Sequence, residues 1–265
     1  MKYLFLLFSL IFFRDGSAQI TFKGSYTIAA ICKDGIVIGS DSRGSFLRDG
    51  KSIATFDYIQ KTFIVKNCVI SFIGLIALGD KFVSNYIKEF EPSVQITTPP
   101  DECLKLFISF LAKYPDIKGD LQDLDIISAG YKDGRPTICF ASIKLNTGKC
   151  AQDTGIALQS KKIVFGKGTK YDEAYCKKHS CKQVADIIEK AILDFAIKEN
   201  RKDVIGGKIM AIRITKKDIQ FIKNKPSSPR WVTLQQFLKD YRDNKIKVKL
   251  LTKDADNFIR NFKLK

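Results

Sequence analysis

Histidine is nearly missing from this chain: His179 is the one imidazole in 265 residues, beside one tryptophan and two methionines. That scarcity removes whole classes of chemistry. An ordinary serine–histidine–aspartate triad would need His179 itself to reach a serine. No two cysteines stand in a Cys-x-x-Cys spacing, so zinc sites built from cysteine and histidine lack their ligands. His179 reads as a surface residue, and neither metal nor cofactor is expected. No internal repeat and no low-complexity segment interrupts the chain. Beyond the first residues no stretch looks transmembrane, so no membrane span is expected in the mature chain.

What is present begins with an apolar run of 11 residues, Tyr3 to Phe13, after Lys2 and before the small residues Gly16-Ser17-Ala18. A positive start, a short apolar run and a small-residue site predict a secretory signal over 1–18, cut after Ala18 or Gln19. Arg14 and Asp15 lie close to the run and keep an uncleaved anchor open as the alternative. The expected location is periplasmic or extracellular. Formal net charge is +17, and removing Lys2, Arg14 and Asp15 leaves +16. The lysines are scattered and no nucleic-acid motif appears, so a solvated basic surface is expected rather than a nucleic-acid partner. Anionic envelope polymers or acidic substrates fit that charge.

Seven cysteines occur. An exported chain can form disulfides, and Cys176 with Cys181, five apart at a helix start, is the expected local pair. Cys32, Cys68 and Cys139 sit in apolar runs and read as buried thiols.

Hydrophobic residues make up 45% of the chain, enough for a sizeable core. Tyr26 to Ile31 and Gly35 to Ser40 read as a hairpin, as do Phe63 to Val65 and Cys68 to Ile73. Helical spacing follows at Phe82, Val83, Tyr86, Ile87 and Phe90, then at Leu104, Phe107, Ile108 and Leu111. Strands return at 125–131, 137–143 and 162–165. A short helix at 171–177, a strong amphipathic helix from Val184 to Phe195, and strands at 208–215 and 218–222 complete the order. Hairpins alternating with helix pairs predict an α+β protein with antiparallel sheets and helices outside them. Residues 224–265 read as a basic extension with a linker, Pro226 to Pro229, and one helix that packs on the body.

Ser25 follows Gly24. Asp41 stands in Gly39-Ser40-Asp41-Ser42-Arg43, and Lys61 precedes Phe63-Ile64-Val65. Singly, Asp41 reads as a strand-end carboxylate and Lys61 as an edge lysine. In this order the segments resemble the amino-terminal part of proteasome β subunits and bacterial proteasome-like peptidases, which are N-terminal nucleophile hydrolases. The likeness runs over roughly residues 24–222. It implies a four-layer αββα sandwich of two antiparallel sheets between helix layers, over 25–223, and a propeptide over 19–24. It also implies a homo-oligomeric ring acting on a peptide or protein substrate. A serine hydroxyl is a weak nucleophile without a base. Cleavage after Gly24 would give Ser25 a free α-amine of pKa about 7.7–8.0, able to take its proton. By the resemblance, Asp41 pairs with Lys61, Lys61 lowers the nucleophile's proton affinity, and Arg43 braces that charge network. Gly74 offers the oxyanion N–H, and Asp203 lies near the amine. Lys61→Ala is expected to abolish hydrolysis and spare the fold.

Departures from the family divide the function. Serine replaces the usual threonine, and Lys167 and Gly206 stand where two supporting serines are usual. One reading is a peptidase with low activity, which Lys167→Ser with Gly206→Ser would raise. The alternative is a catalytically silent structural or assembly subunit, and an amidase for non-peptide amides is a third.

Overall fold

The computed structural model describes residues 20–24, 26–117, 124–143, 147–152, 158–159, 173–226 and 233–262. The expected signal, Ser25, Lys167 and the strand expected at 162–165 lie outside them. In chain order, β1 (Ile20–Lys23), β2 (Thr27–Cys32), β3 (Gly35–Ser40), β4 (Gly44–Arg48), β5 (Lys51–Phe56), β6 (Thr62–Val65) and β7 (Cys68–Gly74) come first. The ribbon β8 (Ala77–Leu78) and β9 (Lys81–Phe82) leads into α1 (Val83–Phe90) and α2 (Pro100–Leu111). Next come β10 (Leu124–Lys132), β11 (Arg135–Ser142), β12 (Thr147–Gln152), β13 (Leu158–Gln159), α3 (Glu173–Lys178) and α4 (Cys181–Lys198). The chain continues through β14 (Met210–Ile214), β15 (Ile219–Lys223), α5 (Leu234–Arg242), β16 (Lys249–Leu250) and α6 (Ala255–Asn261).

Local chemistry explains the main elements. Ser180 and Gln183 form a reciprocal capping box at the start of α4, satisfying amides that no helical carbonyl can reach. Pro100 opens α2 with Asp101 and Glu102 in its first turn, matching both the missing N–H and the helix dipole. The β10–β11 turn uses positive φ at Asp133 (50°) and Gly134 (72°), the conformation a tight hairpin demands.

Two five-stranded antiparallel sheets dominate, β12-β11-β10-β7-β6 and β13-β2-β3-β14-β15. Alternation along β2 sorts its residues between layers. Ala29 and Ile31 pack with Ile36, Ile38, Val69, Ile127 and Ile212 between the sheets. Ile28, Ala30 and Cys32 pack outward with Val184, Ile188 and Ile192 of α4. On the far side, Ile70, Phe72 and Ile126 meet Tyr86, Phe90 and Phe107 of the other helix layer. The architecture is the α+β sandwich, with stacked antiparallel sheets between helices.

Two sheets are not the whole count. A four-stranded sheet, β1-β4-β5-β16, and the β8-β9 ribbon join them. The sequence reading assigned no strands over 44–56, where a bulge between Phe46 and Leu47 breaks the alternation. Among the described residues the carboxy-terminal segment holds two helices rather than one, and β16 pairs with β5. Phe237 anchors α5, with its ring 4.6 Å from Phe56 and 5.4 Å from Phe46.

The cysteines differ from the sequence expectation. Cys139 is disulfide-bonded rather than a thiol; its backbone register partner on β12 is Cys150. Cys176 and Cys181 are not bridged to each other: both are thiols. Cys181 instead meets Cys32 across the β2–α4 packing.

Candidate active site

Asp41, Lys61, Gly24, Gly74 and Gly206 converge, although they lie on separate parts of the chain. Asp41 follows β3, Lys61 precedes β6, Gly24 follows β1, Gly74 ends β7, and Gly206 lies between α4 and β14. Asp41 and Lys61 both have fully buried side chains, at 0% exposure, and form an ion pair of 2.8 Å. Asp41 Oδ1 also accepts from the Tyr26 N–H at 2.8 Å. Its Oδ2 accepts from the backbone N–H of Arg43 at 3.2 Å and of Gly206 at 3.1 Å. Two donors on each oxygen satisfy a buried carboxylate.

Lys61 Nζ donates also to the Arg43 carbonyl at 2.6 Å. Burial pushes the ammonium below the ordinary lysine range, opposed by the Asp41 charge. The sequence alone implied that Lys61→Ala would spare the fold; a buried pair means that it should weaken it, because the Asp41 charge loses its buried cation.

Below the ion pair lies a seam of buried hydroxyls that sequence reading missed. Thr62 Oγ1 donates to Ser40 Oγ at 2.8 Å and lies 2.9 Å from Ser71 Oγ. Thr27 Oγ1 is 3.0 Å from Ser71 Oγ, and Ser71 Oγ donates to the Lys61 carbonyl at 3.1 Å. The seam anchors the Lys61 backbone between the sheets. Small hydroxyl residues in apolar strands were its one available signal.

Arg43 does not brace Asp41 through its guanidinium. That group turns away to Asp57, with Nε donating to Oδ1 at 2.8 Å and Nη2 to Oδ2 at 3.2 Å. Nη1 donates to the Lys202 carbonyl. The Asp57 hydrogen bond raises the Arg43 pKa further, against partial burial. Asp203 enters through its backbone: its carbonyl accepts from Ser45 Oγ at 2.5 Å. The fork on Asp57 and Lys202 therefore clamps the 202–207 loop against the Asp41 turn.

Glycine is required at two places here. Gly24 has φ +132°, and a Cβ there would meet the Val204 carbonyl oxygen at 2.6 Å and the Arg43 carbonyl oxygen at 2.9 Å. Its N–H donates to the Gly74 carbonyl at 3.2 Å. Gly206 has φ +157°, and a Cβ would meet Arg43 Nη1 at 2.8 Å. Gly206→Ser therefore cannot simply restore a hydroxyl. It should lower stability by about 1–3 kcal/mol and Tm by about 2–4 °C for each kcal/mol. An unchanged melting curve would show that the Arg43 fork yields freely.

His179 stacks on Tyr175, with ring centroids 3.7 Å apart, and its Nδ1 is 2.8 Å from the Tyr175 carbonyl. Among the described residues no group of three or more histidine, cysteine or acidic side chains is arranged to hold a metal. Among them no helix is long and apolar enough to cross a membrane.

No protein-family model and no curated protein matches the chain. A solved structure that does match is the Anbu (Gly-1) mutant from Hyphomicrobium sp. strain MC1. The TM-score is 0.53 at 15% identity, over 84% of this chain and 96% of that one. At that identity the likeness is one of fold: the chain shares the α+β sandwich architecture of that structure, and carries a buried Asp41–Lys61 pair at the junction of its sheets.

Proposed function

We propose that the protein is an exported N-terminal nucleophile hydrolase, in which Ser25 attacks peptide amide bonds and its own α-amine takes the proton. One observation carries this reading: the buried Asp41–Lys61 pair engages the backbone on both sides of Ser25. Asp41 accepts from Tyr26, the residue after it. Lys61 donates to the Arg43 carbonyl, against which Gly24, the residue before it, is packed. Lys61 has three N–H donors, and Asp41 and Arg43 take two. Among the described residues no other acceptor takes the third, and in this reading it serves the nucleophile.

Maturation would begin with Ser25 Oγ attacking the Gly24 carbonyl carbon. The acyl group moves from nitrogen to oxygen, and water hydrolyses the ester, leaving a Gly24 carboxylate and a Ser25 amine. The charge of Lys61 favours the ionised hydroxyl. A Gly74 N–H would steady the oxyanion. Release of 20–24 would uncover β4 on one side and Leu75–Ile76 on the other, which β1 occupies through pairing with β4 and the Ile76 N–H to Phe22 carbonyl bond of 2.9 Å. A slot between two strand edges suits an extended peptide substrate. Assembly into a homo-oligomeric ring belongs to the same proposal.

A second reading is a silent structural subunit. Phe22 favours it, since its ring lies 4.5 Å from Phe46 inside the core, and a strand so built in is expensive to release. Intact mass decides between them. The first reading expects a mature chain starting at Ser25, and Ser25→Ala should keep residues 19–24. A parent starting at Gln19 or Ile20 supports the second reading. Loss of 19–24 in Ser25→Ala at the parental rate overturns self-processing.

A further inference from the structure

Five of the seven cysteines are thiols, Cys32, Cys68, Cys103, Cys176 and Cys181, and all five are buried. Four of them meet in two pairs, each across a sheet–helix contact. At the end of β2, Cys32 and Cys181 are side-chain neighbours in one buried cluster. The backbone around them is clamped. Lys33 N–H donates to the His179 carbonyl at 2.9 Å, and Cys181 N–H donates to Asp34 Oδ1 at 2.6 Å. Gly35 is opposite Cys32 in register, and a Cβ there would lie 3.6 Å from Cys181 Sγ. In the other half of the sandwich, Cys68 at the start of β7 is a side-chain neighbour of Cys103 in the first turn of α2, within one buried cluster. Asn67 Nδ2 donates to the Ile96 carbonyl at 2.5 Å and Cys68 Sγ donates to the Thr98 carbonyl at 3.3 Å, pinning that turn beside α2.

We propose that Cys32–Cys181 and Cys68–Cys103 are disulfide sites, each tying one helix layer to the sheet beneath it. The two bridges are arranged alike: a cysteine at a hairpin end faces one in the first turn of the helix that covers the hairpin. Cys139 is already disulfide-bonded, so the fold accommodates oxidised cysteine, and an oxidising compartment closes thiols held in contact. Neither bridge depends on Ser25 being a nucleophile.

The chemistry is thiol–disulfide exchange with an external disulfide, RSSR, as oxidant. The neighbouring Cys68 side chain, with help from Ser128 and against burial, holds the Cys103 thiol below its ordinary pKa. Cys103 as thiolate attacks one sulfur of RSSR and expels RS⁻. The Cys68 thiolate then attacks Cys103 in the mixed disulfide, forming the protein bridge and expelling a second RS⁻. Two protons leave the protein and two electrons pass to RSSR. Cys103 is 0% and Cys68 1% exposed, so exchange takes place before α2 has finished docking or during its opening. The other pair closes in the same way.

The test equilibrates the full-length protein in a buffer of oxidised and reduced glutathione. The protein is then denatured, alkylated without reductant, digested with trypsin and mapped by mass. The Cys68 peptide should be joined to the Cys103 peptide, and the Cys32 peptide to the Cys181 peptide, with Cys176 alkylated. In Cys103→Ser, Cys68 should become alkylated while the Cys32–Cys181 link persists. Oxidation should raise the parent's Tm by on the order of 5 °C more than it raises that of Cys103→Ser. Alkylated or glutathionylated Cys68 and Cys103 in the parent overturn the second bridge. Cys181 joined to Cys176, or alkylated, overturns the first.

Discussion

Lys61→Ala should lose hydrolysis by on the order of 10²–10⁴, the range for a positioned acid–base group, and should also weaken the fold. Asp41 would keep its charge at 0% exposure without its cation, and breaking such a pair costs about 3–5 kcal/mol. The amides of Tyr26, Arg43 and Gly206 still solvate the carboxylate, which puts the loss at the lower end. At about 2–4 °C for each kcal/mol, Tm should drop by roughly 6–12 °C. Asp41→Asn with Lys61→Met removes both charges. It should melt above Lys61→Ala yet remain inactive, which separates catalysis from stability. Lys61→Ala with parental kcat/KM would reduce the lysine to a structural ion. The pH profile carries the same logic. Turnover rises as the Ser25 amine loses its proton near 7.7–8.0. It falls as Lys61 loses its own, and because burial lowers the Lys61 pKa, that decline should begin below the ordinary lysine range. A profile flat beyond about pH 10.4 would contradict a working role for the ammonium.

Gly24→Ala should slow cleavage at Gly24–Ser25 by on the order of 10². The methyl would have to sit 2.6 Å from the Val204 oxygen and 2.9 Å from the Arg43 oxygen, at φ +132°. Both obstacles are backbone, and one of them is the acceptor of Lys61. They cannot rotate aside as a side chain can. Alanine therefore shifts the Gly24 carbonyl away from the nucleophile, or displaces the Arg43 carbonyl that orients Lys61. A displacement of about 1 Å near reacting atoms costs on the order of 10² in rate. Intact mass over time, with Tm measured alongside, checks this. Processing at the parental rate by a normally folded Gly24→Ala would show that the glycine is dispensable. That outcome would leave the strand β1 as an architectural element with no role in maturation.

Legibility differed from element to element. The hairpins β2–β3 and β6–β7 could be read because turn residues interrupt apolar runs at Lys33-Asp34 and Lys66-Asn67. Helix α4 could be read because Val184, Ile187, Ile188 and Ile192 repeat at helical spacing and are buried on one face. β4 and β5 could not, since the Phe46/Leu47 bulge shifts one face onto the other. Asp41 and Lys61 were singled out by their order along the chain, but order cannot tell an edge lysine from a fully buried one. Desolvation decides that, and it depends on what packs above both residues.

The sequence by itself determined the alternation of hairpins and helices, the apolar faces that drive the sheets and helices together, and the residue types available for chemistry. With one histidine, any base must come from elsewhere. Tertiary structure decided the partners. Arg43 meets Asp57 and the Lys202 carbonyl, 159 positions away, rather than Asp41's carboxylate. Cys181 faces Cys32 instead of Cys176, five residues off. Gly206 lies under the Arg43 guanidinium, whose Nη1 is 2.8 Å from where a Cβ would sit. Each of these is a contact between segments distant in the chain, and local propensity carries no information about which distant segments meet. That is set by how the sheets and helix layers bury their apolar faces together.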